Sequence, residues 1–303
     1  MSAAPHRQLG LGVTAAIVIA NRIGTGVFTT TGYSAKSVHD PKTILLTWIV
    51  GGVVALCGAS CYAELGTMMP KAGGEYVYLR EAYHPALGFV SGWVSLTAGF
   101  SAPIAAAALS FATYVNVLAG GGVNQKLIAV VLIGAVTLLH SFDTKVGGRV
   151  QAVFTGLKVA LIVVFIVAGL GSGNGDWSHF AAESGGMSNV FTTNFAISLM
   201  YVSFAYSGWN AAAYIAGEVK TPEKTLPRSL LLGTGAVMVL YVLLNVVYFY
   251  AVPSQTLAGP PDKFAPVIEV GATSATALFG ARGGHLITSL ISLALVSAVS
   301  ALI

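Results

Sequence analysis

The feature that most limits what this chain can fold into is a succession of apolar runs, most of about 20 residues or more and the shortest of 17, joined mainly by short polar connections. A helix rises about 1.5 Å per residue, so such a run crosses the hydrocarbon core of a bilayer. The runs fall at Leu9–Gly32, Thr43–Thr67, Ala86–Ala119, Lys126–Phe142, Val150–Leu170, Phe191–Ala216, Ser229–Val252 and His285–Ile303. Of 303 residues only 9% are charged and 55% are hydrophobic, whereas soluble domains carry about 25% charged residues. A soluble fold of this size needs a charged surface that this sequence lacks. The expectation is an all-α polytopic membrane protein of about eight transmembrane helices, one transmembrane domain over residues 1–303, with the lipid bilayer as its solvent.

The net charge of +4 does not point to nucleic acid, because the cations sit in short loops between apolar runs. With a cytoplasmic N-terminus the inner side holds Arg7, Lys71, Arg80, Lys145, Arg149, Lys220, Lys224 and Arg228. The outer side then holds Lys36, Lys42, Lys126, Lys263 and Arg282. The excess favours N-terminus in. The longest connection, Pro253–Gly284, has a middle, Phe264–Phe279, suited to a short helix on the membrane surface or over a vestibule. The last run ends at Ala301–Leu302–Ile303 without a polar flank, so the chain is expected to be truncated at its C-terminus. No cleavable signal peptide is expected, because Met1–Gln8 runs directly into an apolar segment too long for the core of one.

Two runs are interrupted in mid-span. Asn21–Arg22–Ile23–Gly24–Thr25–Gly26–Val27–Phe28 places two glycines within the first. Phe204–Ala205–Tyr206–Ser207–Gly208–Trp209–Asn210 places Ser-Gly and further polar groups within the sixth. Unwinding there frees backbone groups that lipid cannot satisfy, so such breaks persist only where they line a cavity. Interrupted helices at matching places in two halves point to a transporter's substrate site. The plainer reading is that small residues let helices pack closely. A half-helix N-terminus suits a carboxylate and a half-helix C-terminus suits a cation, so the pair fits a zwitterionic amino acid.

Lys158 lies within an apolar helix and is expected to face the bundle interior, where it is able to exchange a proton; the alternative is that it snorkels to the cytoplasmic end. Arg22, beside the first break, either attracts an anion, pairs with Glu64 or a carbonyl, or is a structural charge facing a wet cavity. Cys57 and Cys61, four apart on one helix, read as packing residues without a disulfide. The six histidines show no metal-ligand spacing. No nucleophile–base pattern, P-loop or dinucleotide fingerprint is present, so no cofactor, no metal and no enzyme activity is expected.

Several blocks together carry a family resemblance: Gly24–Thr25–Gly26–Val27–Phe28; Tyr62–Ala63–Glu64–Leu65–Gly66, Pro70, Gly73–Gly74–Glu75–Tyr76–Val77–Tyr78 and Gly92–Trp93; the sixth-run break; and Gly217–Glu218–Val219–Lys220–Thr221–Pro222 with Leu226–Pro227–Arg228. From Leu9 to its end the chain resembles the amino acid–polyamine–organocation superfamily, and within it the bacterial permeases similar to L-type amino-acid transporters. The resemblance implies a LeuT-type fold of five helices repeated, inverted, as the next five, with residues 9–170 the first repeat and 191–303 an incomplete second. It implies a secondary active transporter of the cell (inner) membrane, moving amino acids by alternating access with protons or in exchange. It places substrate at Ile23, Gly24, Thr25, Gly26, Phe204, Ala205, Tyr206, Ser207 and Gly208, with Phe204 and Trp209 as gate. Lys158 would reach first-helix carbonyls around Gly24 and a hydroxyl of Ser297 or Ser300, in a proton-coupling role. Arg22 departs from the family pattern, which has an apolar residue there. A non-transporting amino-acid sensor on the same scaffold, or an inactive permease fragment, is the alternative.

Overall fold

A computed structural model of the chain describes residues 7–142, 144–181, 190, 192–260 and 266–303, and for 142 and 144–152 the backbone alone. Among these residues the architecture is all-helical; the one extended pairing is an isolated parallel bridge between Leu9 and Val219. The first apolar run forms two helices, α1 (Leu11–Arg22) and α2 (Gly26–Val38), bent by 43° at the break. Then come α3 (Pro41–Met68), α4 (Glu75–Ala82), α5 (Pro85–Val94), α6 (Ala102–Leu118), α7 (Gln125–Phe142) and α8 (Thr144–Gly171). The sixth run gives α9 (Thr193–Ala205) and the single turn α10 (Ala211–Tyr214). The long α11 (Pro222–Ala251), the short α12 (Ser254–Ala258) and α13 (Val270–Leu302) follow.

Local chemistry sets these boundaries. The Asp40 carboxylate accepts from the Thr43 amide at 2.9 Å, and Pro41 occupies the first helical position of α3. Thr192 caps α9 through the Phe195 amide at 3.2 Å. Between α5 and α6 the backbone widens into a π-helix over Ser95–Ser101. Pro103, in the first turn of α6, has no amide hydrogen for the carbonyl four residues back, which releases the preceding turn. The Ser101 hydroxyl then donates to the Leu96 carbonyl at 2.7 Å.

Five helical segments among the described residues are long and apolar enough to cross a membrane: Pro41–Met68, Pro85–Leu118, Val153–Gly171, Pro222–Ala251 and Val270–Leu302. The bent pair α1–α2 makes a sixth, and shorter apolar helices at Gln125–Ser141 and Thr193–Ala205 occupy the two remaining runs. Within the middle of the longest connection a short helix over residues 270–279 is present, set off from the last span by the non-helical Gly280 (φ 68°, ψ −177°); Phe264 and Ala265 of the expected segment lie outside the described residues. Cys57 and Cys61 are free and exposed on α3, so they face outward instead of packing inside the chain.

The core is built where α3, α9 and α11 meet. Trp48, Tyr206 and Tyr241 are fully buried and stack in tilted and edge-to-face pairs with centroids 5.3–5.7 Å apart. On one face of the molecule the chain start is strapped to the segment leaving α10: the Gln8 and Leu9 amides donate to the Glu218 carbonyl at 2.9 and 3.0 Å, and the Lys220 amide donates to the Leu9 carbonyl at 2.9 Å.

Candidate functional site

The two breaks meet. A Cβ built on Gly26 would lie 2.5 Å from Ala205 Cα, so the start of α2 touches the end of α9 at a point only glycine permits. Gly208 has φ +90°, and a Cβ there would lie 2.8 Å from the Asn21 carbonyl oxygen. The close-packing reading of these glycines thus holds at Gly26, which abuts Ala205 as well as lining the cavity beside it. Gly24 is different: its nearest neighbours to a Cβ are Ala298 Cβ and the Arg22 carbonyl, both at 3.9 Å.

The end of α1 leaves carbonyls without helical partners, and the structure shows what takes them. Lys158 is 1% exposed, and its ammonium donates to the carbonyls of Ala20 at 3.2 Å and Ile23 at 3.1 Å. It faces the interior and does not snorkel. The Tyr241 hydroxyl and the Gly24 amide donate to the Arg22 carbonyl. The carbonyls of Val27 and Phe28 accept from Tyr248 and Tyr114 at 3.4 and 3.2 Å. Neither serine expected as a partner of Lys158 hydrogen-bonds to it. The Ser300 hydroxyl meets His140 Nε2 at 2.8 Å, and the buried Ser297 hydroxyl has no partner.

A cavity of about 760 Å³ lies against both breaks, within the range of small-molecule sites. Ile23, Gly24, Thr25, Gly26, Phe204, Ala205, Ser207 and Gly208 all line it. Phe204 is 45% exposed, so its ring borders the space instead of anchoring the core. Two expected site residues are not on this wall. Tyr206 is buried in the core and donates to the Trp48 carbonyl at 3.0 Å. Trp209 packs edge-to-face on Tyr62, centroids 4.7 Å apart, with its ring edge against Gly58.

The site has a member that motif reading left without a role. Glu75, at the start of α4, lines the cavity, and its Oε1 accepts from the Tyr62 hydroxyl at 3.0 Å and from the Asn210 amide. It ties α3 and α4 to the second break. In the sequence a glutamate after two glycines signals only a helix start. Ser95 and Gly99 of the π-helical turn also line the cavity.

An all-helical chain with several apolar spans, two of them opened around one internal cavity, is a multi-pass membrane protein. The amino acid permease family profile matches residues 9–303, and the chain belongs to that family. It is 34% identical over 283 residues to the serine/threonine exchanger SteT of Bacillus subtilis, covering 93% of this chain and 62% of the relative. Over 252 residues it is 32% identical to the b(0,+)-type amino acid transporter 1 of Mus musculus, covering 80% and 51%. Over 259 residues it is 29% identical to the large neutral amino acids transporter small subunit 2 of Rattus norvegicus, covering 83% and 49%. The chain therefore spans between about half and three-fifths of the length of these relatives.

Proposed function

We infer that the chain carries the substrate-binding part of a secondary amino-acid transporter working by alternating access, by proton-coupled uptake or by exchange. The observation that carries this reading is the meeting of two interrupted helices at one cavity. The first amides of α2 have no preceding helical turn to bond and suit an α-carboxylate. The carbonyl end of α9 suits an α-ammonium. Phe204, exposed beside them, closes over substrate as the gate; Trp209 supports the second break from behind. The relatives' names, an exchanger and two amino-acid transporters, favour transport over catalysis.

In this reading the helices follow a LeuT-type inverted-repeat plan, with residues 9–170 as the first repeat and 191–303 as part of the second, the N-terminus cytoplasmic and the protein in the cell (inner) membrane. The breaks' positions near the start of each half and the basic loops support it. Lys158 occupies the place of a bound cation, and loss of its proton would free the Ala20 and Ile23 carbonyls. Of the two candidate hydroxyls, the unpartnered Ser297 is the one able to meet that ammonium.

The test is binding and counterflow of labelled amino acids with the purified chain in proteoliposomes. Internal amino acid should stimulate uptake, and Gly24→Ala should weaken binding about tenfold without lowering the melting temperature, because its methyl group enters the cavity edge. Binding without counterflow would overturn the transport reading; the absence of any amino-acid binding would overturn the site.

A further inference from the structure

Arg22 has no partner in the geometry described so far. Its side chain is 2% exposed, and none of its three guanidinium nitrogens makes a hydrogen bond. The ion pair found among the described residues is Lys71–Glu81, on the exposed surface. Glu64 is exposed on α3, and no ion pair joins it to Arg22. The nearby hydroxyls of Tyr206 and Tyr241 donate to backbone carbonyls, that of Tyr241 to the carbonyl of Arg22 itself. A buried charge without a counter-charge is among the costlier arrangements in a protein, and an arginine at membrane depth is functional by default.

Arg22 ends α1 and lines the cavity. The Lys158 ammonium sits on the carbonyls of the same break. Two cations therefore flank one end of the site. The carboxylate lining the cavity, Glu75, accepts from Tyr62 and Asn210 through one oxygen, while its other oxygen is buried without a partner, so one negative charge stands against two positive ones. A zwitterion brings no net charge to offset this imbalance. A substrate with a second carboxylate does, and the planar guanidinium fork matches that group.

We propose that Arg22 is the specificity-determining residue of this cavity, and that the amino acids it selects carry a side-chain carboxylate, of the aspartate and glutamate class. The α-carboxylate sits at the start of α2 and the second carboxylate sits on the guanidinium. This rests on the amino-acid transporter reading and departs from what the relatives' names say of those proteins, namely serine/threonine and large neutral amino acids.

The experiment compares L-glutamate and L-aspartate with their near-isosteric uncharged amides, L-glutamine and L-asparagine, in equilibrium binding to the purified chain in lipid nanodiscs. The acids should bind at least about tenfold more tightly than the amides, the scale of one charge-assisted contact. Arg22→Gln should erase that preference while keeping amide binding. It should fold as well as the parent, since it removes an unpartnered charge; its melting curve checks this. Arg22→Lys keeps the charge and should retain part of the preference. Acid and amide binding equally to the parent would overturn the proposal and leave the transporter reading standing. If no amino acid binds, both fall. Replacing chloride by gluconate is the third arm. Arg22-dependent stabilisation that follows chloride and not the acids would make this an inorganic-anion seat and overturn the substrate assignment.

Discussion

Lys158 and Gly26 show how single residues hold the opened helix. The Lys158 ammonium replaces the helical partners that Ala20 and Ile23 lost. Lys158→Ala should cost about 1–3 kcal/mol of stability, the penalty for leaving buried carbonyls unmet, seen as a lower melting temperature. If Lys158 also carries the coupled proton, uptake by Lys158→Ala should lose its dependence on external pH, while Lys158→Arg, with a bulkier head in a fully buried place, should not restore it. Uptake against pH, with and without a protonophore, checks both. The two glycines of the first break should behave oppositely. Gly26→Ala drives a methyl group into the Ala205 backbone, and overpacking of this kind costs about 1–3 kcal/mol. Gly24→Ala finds only ordinary contacts, so its defect should lie in binding. Melting curves of the two variants side by side separate a packing glycine from a cavity glycine. Phe204→Ala should lower uptake with little change in the amount of folded protein, because the half-exposed ring anchors nothing in the core.

At the scale of elements, spans and breaks were legible for different reasons. Spans announce themselves through length and apolarity, and the breaks through glycines and polar residues inside such runs. What an aromatic residue does inside a break was not legible. Phe204, Tyr206 and Trp209 share one polar stretch, yet only Phe204 faces the cavity; Tyr206 turns to Trp48 and Trp209 to Tyr62. Which way each points depends on where α9 unwinds, and no spacing encodes that. The pairing of Ser300 with His140 was equally hidden, because it joins α7 to α13 across 160 positions of sequence. The π-helical turn before Pro103 leaves a trace only in hindsight, since a proline early in a helix normally reads as a start. The kink in α13 rests on Gly280, whose φ of 68° and ψ of −177° lie in a region nearly closed to other residues. Gly280→Ala should therefore destabilise the protein by about 1–3 kcal/mol although no neighbour lies within 4 Å of the added methyl group. Thermal unfolding in nanodiscs measures that cost.

For the whole molecule, the basic loops make a topological claim that labelling decides. Single cysteines at Lys71 or Lys220 should react with an impermeant maleimide only from the cytoplasmic side, and cysteines at Lys36 or Lys42 only from outside, in a background where Cys57 and Cys61 are replaced by alanine. The reverse pattern would invert the orientation. The strap at the chain start has a mechanical meaning as well. Through Leu9 and Val219 the near end of α1 is pinned to the segment entering α11, and through Lys158 and Tyr241 its far end is pinned to α8 and α11. A helical rod of 12 residues, about 18 Å long and clamped at both tips, resists bending along its length. Torque applied across the molecule collects at the joint of Gly24 and Thr25, just past the last clamp, so amide hydrogen exchange there should speed up when the strap is cut by replacing Leu9 with proline, while exchange within α1 stays slow.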